Sequence, residues 1–296
     1  MSKYLLAVVV FVVLISGCFG QPPVDQEIEC ATSMVNGLSI TCFSSSVGDL
    51  RSGQSTTLQL EVENKGEDVV SQEWGAAHLI IPTDWSLEKA VTLAYPKDLK
   101  NADPATGRPA DIYQFRWRAT SPGLPRGQVR YDTIIGRVYY DYTTTASGVI
   151  PVYPYGEDIV ETASFTSSVG PVAISVAVMP NPPAIEFAGE EFSLSIVVTN
   201  TGEGQVYMNN TVNSGNLELE ETERDIVNLD IVLPTGLNVT DPGCYKDIEL
   251  IRGRATAICD VEVIDKPVAK QLHPVTIKAY YGYMIEASTT VSITGR

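Results

Sequence analysis

The sequence predicts an all-β fold of two tandem sandwich domains behind an N-terminal export segment, on three observations. Alternating apolar and polar residues replace helical periodicity from residue 27 onward; one such run recurs 136 residues later; and the first 18 residues have the three-part layout of a secretory signal ending in a cysteine.

Four runs carry the strand reading. Thr57-Leu58-Gln59-Leu60-Glu61-Val62-Glu63 sets its apolar side chains on one face, and Phe192-Ser193-Leu194-Ser195-Ile196-Val197-Val198, Ala173-Ile174-Ser175-Val176-Ala177-Val178 and Val291-Ser292-Ile293 do the same. Short alternating strands between Gly, Pro, Asn and Asp imply a β-sandwich or barrel.

The duplication is read from two anchors. Residues 53–67 align without gaps on residues 189–203, each run closing on Asn-x-Gly-Glu: Asn64-Lys65-Gly66-Glu67 and Asn200-Thr201-Gly202-Glu203. Val138-Tyr139-Tyr140-Asp141-Tyr142 matches Ala279-Tyr280-Tyr281-Gly282-Tyr283 at an offset of 141. Asn tolerates turn geometry and Gly supplies positive φ, which is the local reason for the first motif. Alternation places at least one ring of the second motif in the core, and a sandwich-corner tyrosine bonded to backbone is one use for it. A small-residue link, Ser167-Ser168-Val169-Gly170-Pro171, sets the boundary, giving domains 27–169 and 170–296. Met179-Pro180-Asn181-Pro182-Pro183 then interrupts pairing, as expected of an edge strand crossing between sheets.

At the start, Lys3 precedes an apolar stretch over residues 4–15 that is shorter than the ~20 residues of a spanning helix. Ile15-Ser16-Gly17-Cys18 resembles the lipobox of prokaryotic lipoproteins. The resemblance implies removal of residues 1–17, lipidation of Cys18, and a tether over 18–26 stiffened by Pro22-Pro23. Ordinary signal cleavage, an uncleaved anchor and a pilin-like start are the competing readings; Pro22-Pro23 would break the long helix a pilin needs.

A strand ending in (Leu/Val)-x-Val-x-Asn-x-Gly-Glu, with a late aromatic strand, resembles the immunoglobulin-like or cell-adhesion-related domains repeated in archaeal and some bacterial surface proteins. The resemblance covers residues 27–296, implies sandwiches displayed outside the cell, and carries no catalytic residues.

Four further cysteines form two close pairs, Cys30/Cys42 and Cys244/Cys259, a framework suited to an oxidising exterior. With Val35-Asn36-Gly37 as a three-residue hairpin loop, Met34 opposes Leu38 and Cys30 opposes Cys42 directly. Cys244 and Cys259 flank a turn at Arg252-Gly253 with a less regular register, so a bridge between non-neighbouring strands stays open. Asn209 and Asn238 head sequons and are candidate glycosylation acceptors.

With 20 Lys+Arg against 36 Asp+Glu the chain carries −16, which repels phosphate backbones and argues against nucleic acid. No nucleophile elbow, zinc-helix motif or phosphate-cradling loop occurs, and no metal or cofactor is implied. Ser86-Leu87-Glu88-Lys89 fits Ser-x-x-Lys without its companion motifs. The acidic run Glu218, Glu220, Glu221, Glu223 and Asp225 lacks a calcium-loop frame and reads as a solvated edge.

The functional expectation is a non-enzymatic lipoprotein on the outer face of the cell membrane, acting in display, adhesion or envelope structure, with protein or glycan as partner. The alternative is an exported accessory subunit of a transport, secretion or pilus machine. The first predicts accessibility on intact cells and tandem strand-rich domains with no deep polar pocket. The second predicts an exposed apolar patch or free strand edge; an enzyme would instead show a cleft with perturbed titratable groups. The second domain and the irregular stretch 96–110 are the surfaces expected to be most available.

Overall fold

Alternation becomes strand burial with few exceptions. The computed structural model describes residues 30–296, so Cys18, the signal segment and the tether lie outside the described residues. The first half supplies β1 (Ala31–Ser33), β2 (Leu38–Ser45), β3 (Asp49–Arg51), β4 (Ser55–Asn64), β5 (Gly75–Ile80), β6 (Ser86–Leu87), β7 (Thr92–Ala94), β8 (Ile112–Thr120), β9 (Val129–Pro154) and β10 (Ser164–Ser167). The second supplies β11 (Val172–Met179), β12 (Ala184–Ile185), β13 (Glu191–Asn200), β14 (Gln205–Tyr207), β15 (Ile226–Val232), β16 (Leu237–Val239), β17 (Asp247–Glu249), β18 (Arg254–Val263) and β19 (Gln271–Thr294). In β4 every second side chain from Thr56 to Asn64 is buried, and β13 buries Phe192, Leu194, Ile196 and Val198 in the same way.

Three sheets result. One has the order β1-β2-β4-β8-β6, another β11-β13-β18-β16, and the third is a central sheet, β17-β15-β19-β9-β5-β7, joined at its margins by β3, β10, β12 and β14. The chain is therefore all-β with antiparallel sheets packed as a sandwich. β9 and β19 pair without interruption from Val129↔Thr294 to Val152↔Gln271. At ~3.3 Å per residue this ladder runs about 80 Å along its contour.

Each long strand passes under both smaller sheets. Gly136 of β9 lies against Leu60 and Phe43 of the first half, whereas Thr144, eight residues on, donates from its hydroxyl to the carbonyl of Val172 in the second half at 2.8 Å. Buried side chains of both halves accordingly form one continuous cluster. The halves also exchange short strands: β3 pairs parallel with the end of β19, and β12 pairs parallel with the end of β9. The prolines after Met179 end β11, an edge strand, just before the chain crosses to β9.

The two disulfides are Cys30–Cys42 and Cys244–Cys259, with Cα atoms 4.8 and 5.5 Å apart. They point to an oxidising, extracytoplasmic environment. The register expected around the first is corrected. β1 pairs Ser33 with Ile40, so Met34 does not oppose Leu38 and the hairpin is already one residue out of the expected register; a bulge at Thr41 adds a second residue, Ala31 faces Phe43, and Cys42 does not directly face Cys30. Thr41 uses the bulge to donate to the Glu61 carboxylate at 2.9 Å. The second bridge joins the turn at Pro242–Cys244 to β18, while β17 and β18, on either side of the Arg252-Gly253 turn, belong to different sheets. Among the described residues no helix is long and apolar enough to cross a membrane.

Candidate binding site where the two halves meet

The repeat anchors converge on one place. Tyr140 faces Tyr283, Asp141 faces Gly282 and Tyr142 faces Tyr281. Under the 141-residue offset Asp141 and Gly282 are equivalent positions, so the pair they form marks a pseudo-two-fold axis through the ladder.

On the inner face the tyrosines tie the corners. The Tyr142 hydroxyl accepts from the N–H groups of Glu67 and Asp68 at 2.7 and 3.1 Å and donates to the carbonyl of Val169 at 2.8 Å. Its equivalent, Tyr283, accepts from the Gly204 N–H at 2.9 Å and donates to Asn200 Oδ1 at 3.0 Å. Burial pushes both hydroxyls up to about 12. The Asn-x-Gly turns serve the same corners: Gly66 N–H donates to Asn64 Oδ1 at 3.1 Å and Gly202 N–H to Asn200 Oδ1 at 3.2 Å. Even the backbone bond from Lys65 N–H to Gly37 O, 2.7 Å, has its counterpart from Thr201 N–H to Pro171 O, 2.9 Å. These tyrosines hold the junction together.

On the outer face the symmetry is broken. In the first half Trp74 sits beside Asp141, whose N–H donates to the Trp74 carbonyl at 3.0 Å, and β5 follows at once. In the second half Tyr207 takes the equivalent place beside Gly282, but the strand resumes opposite Tyr280 only at Asn228. The extra segment between β14 and β15, residues 208–225, is an insertion carried on the axis. Glycine at 282 is required because a Cβ there would land inside the Tyr207 ring. Tyr207 itself is buried, packing with Tyr139 and Val212 in a small separate cluster, and donates to the Tyr140 carbonyl at 3.3 Å.

Between the insertion and the loop after β4 lies a cavity of about 410 Å³, lined by Asp68, Ser71, Trp74, Asp141, Asn209 and Tyr280 among others. A second cavity of about 290 Å³ shares Asp68, Thr143 and Tyr280 with it and adds Thr145, Ser168 and Lys278. The floor is the outer face of β9 and β19. Asp68 anchors one wall by accepting the Thr143 N–H at 3.0 Å. Asn210, in the left-handed region at φ 59°, anchors the other by donating its N–H to Asp141 Oδ2 at 2.7 Å.

Asp141 is the unusual group. Its Oδ1 is buried with no hydrogen-bond partner among the described residues. Burial pushes its carboxyl up to about 7, against the opposing effect of the Asn210 N–H. A carboxyl in that state exchanges a proton near neutrality and can both donate and accept hydrogen bonds.

The candidate residues read from sequence fall in different places. Asn209 lines the cavity wall, whereas Asn238 is exposed on β16, far along the chain from it. The acidic run occupies the insertion, where Glu221–Glu223 form a single 3-10 turn and the Glu220 N–H donates to the Glu223 carboxylate at 2.8 Å. Ser86 is exposed on β6 beside β8, and Lys89 is exposed just beyond it. The stretch 96–110 is tied down by a Val70–Leu99 bridge and a local Asp103–Arg108 bridge. No group of three metal-ligating side chains occurs among the described residues. No sequence motif marks Asp141; its signal is the one unlike pair, Asp against Gly, inside the aligned Tyr-Tyr-x-Tyr motifs. The chain matches no protein-family model and no curated protein at a significant level.

Proposed function

We propose that this is an exported, lipid-anchored surface protein, built of two immunoglobulin-like sandwich units, that acts by binding in display, adhesion or envelope structure. The observation that supports the reading most is the cavity on the junction: loops from both halves wall a site on a ladder tied by tyrosine bonds, which is how recognition surfaces are mounted on rigid scaffolds. A polar cavity with a perturbed carboxyl departs from the pocket-free surface expected of simple display and meets one expectation for an enzyme; binding is preferred because the bonded Asp141 oxygen is held by the Asn210 backbone N–H and not by a nucleophile or second acid. Labelling intact cells with a membrane-impermeant amine reagent tests the placement. Modification of the chain's lysines without lysis supports it; protection until lysis contradicts it.

A second reading, an accessory subunit that docks a partner protein, is favoured by the far end of the ladder. Tyr155, Ile159, Val160, Phe187, Val268 and Leu272 are all exposed there, Val268 to 96% and Val160 to 80%. Their loops are neighbours, as the Tyr155 N–H bond to Ile185 O at 2.9 Å, the Lys270–Glu161 ion pair at 3.1 Å and Lys266 over the Phe187 ring at 5.9 Å show. Exposed apolar groups gathered at one end are a docking feature. Under this reading, Phe187→Asp with Val268→Asp abolishes co-purification of a stoichiometric partner from native membranes without changing the melting temperature; undiminished co-purification contradicts it.

A further inference from the structure

The cavity on the pseudo-two-fold axis has a lining that restricts its ligand. Two aromatic residues, Trp74 and Tyr280, are half-buried in it. Ladder register puts Trp74 beside Asp141, and Tyr280 opposite Thr143, on the same outer face. Around the rings stand short polar side chains: the hydroxyls of Ser71 and Thr143, the amide of Asn209 and the carboxyls of Asp68 and Asp141, continuing into Thr145, Ser168 and Lys278.

Charge disfavours one ligand class. An anion would meet Asp68 in the cavity and Glu67 in the adjoining one, where Lys278 is the one basic side chain. A neutral molecule rich in hydroxyls meets no such conflict. Its C–H faces stack on aromatic rings, and its paired hydroxyls bond carboxyl, amide and hydroxyl groups that both donate and accept. The volumes, about 410 and 290 Å³, fall at the lower end of the range of small-ligand sites, about 300–1,000 Å³, or just below it.

We propose that the cavity formed by Trp74, Asp141, Asn209 and Tyr280 is a saccharide-binding site, taking one or two neutral sugar rings. The assignment deepens the binding reading above and rests on it. The wall that completes the site is the insertion present only in the second half, so the duplication supplies the floor and the asymmetry supplies the specificity. Asp141 is held in place from the insertion through the Asn210 N–H, and its uncharged form below neutrality suits a neutral ligand.

The test is a titration of the full chain, produced in a non-glycosylating host, with glucose, galactose, mannose, N-acetylglucosamine, cellobiose, maltose and lactose. Tryptophan emission and calorimetry are the readouts, and choline and glucuronate are the charged controls. The proposal expects saturable binding of at least one neutral sugar. It also expects Trp74→Ala to raise its Kd by about tenfold or more, as loss of an aromatic anchor does. Because Trp74→Ala can disturb the corner, Asn209→Lys, which crowds the cavity from the insertion side, is the second variant and should weaken binding while the melting temperature holds. No response to any sugar, binding of choline or glucuronate in preference, or sugar binding indifferent to both variants overturns the assignment. Surface labelling of intact cells combined with a null sugar titration would remove this assignment alone and leave the display reading standing.

Discussion

Asp141 lies directly opposite Gly282 in the central ladder, and the two are the same position of a duplicated motif. One copy uses the place for a carboxyl beneath the insertion. The other leaves it bare so that the ring of Tyr207 can lie across the strand. A symmetric scaffold thus acquires an asymmetric site by one substitution pair and one inserted segment.

The first prediction concerns pH. The Asp141 carboxyl is raised from 3.8 to about 7 in the folded chain, so the folded state binds more protons than the unfolded state between those values. The stability this group contributes falls as pH rises from about 4 to about 7, by at most about 4 kcal/mol, against the opposite trend from His78 and His273, whose values burial lowers. Asp141→Asn should flatten that slope and leave the variant the more stable protein at pH 8. Urea unfolding at a series of pH values measures it; parallel curves for the two proteins would show that the carboxyl is not held neutral.

The corner tyrosines give the second. Tyr142→Phe removes the acceptor of two N–H groups and the donor to Val169, which belongs to the link between the halves. A loss of about 1–3 kcal/mol is expected, since buried donors are left without partners. Tyr283→Phe should cost less, because its hydroxyl serves one N–H and one side chain. Equal midpoints for wild type and Tyr142→Phe would contradict this role.

Much of this architecture was legible in the sequence, and the remainder is non-local. The alternation in β4 and β13 specified their buried faces, and the aligned Asn64 and Asn200 turns specified the duplication. The length of β9 and β19 was hidden because Gly136, Gly148, Pro151 and Pro274 read as strand-breaking residues. They are tolerated here in a ladder spanning both halves, a pairing that no local window can display. The bulge at Thr41 was hidden for a related reason: one extra residue in β2 leaves the local polarity pattern readable while shifting the partners of Cys42. In the cavity, Asn209 was visible as a sequon, whereas Asp141 and Trp74 come together only through the fold.

A third prediction follows from the close approach at Gly282. Gly282→Ala drives a methyl group into the Tyr207 ring and should destabilise the chain by about 1–3 kcal/mol, as overpacking does. The displaced ring should also loosen residues 208–225, which a rise in amide hydrogen exchange confined to that segment would report. An unchanged exchange pattern would contradict the packing of Tyr207 on the axis.

The fourth concerns the cross-links. Cys244 and Cys259 are 15 residues apart, so opening their bridge should cost about 3 kcal/mol on the chain-entropy account. Cys244→Ser with Cys259→Ser should lower the denaturation midpoint accordingly, and reductant should then lower it further through Cys30–Cys42. A double variant as stable as wild type would show that the bridge constrains little.

The central claim, an exported and lipid-anchored binding protein, is tested most directly by the intact mass of the native chain extracted from membranes, before and after reduction. The account predicts residues 18–296 carrying lipid on Cys18, with a gain of four hydrogen atoms on reduction of the two disulfides. A mature chain that retains residues 4–17 and carries no lipid would contradict it.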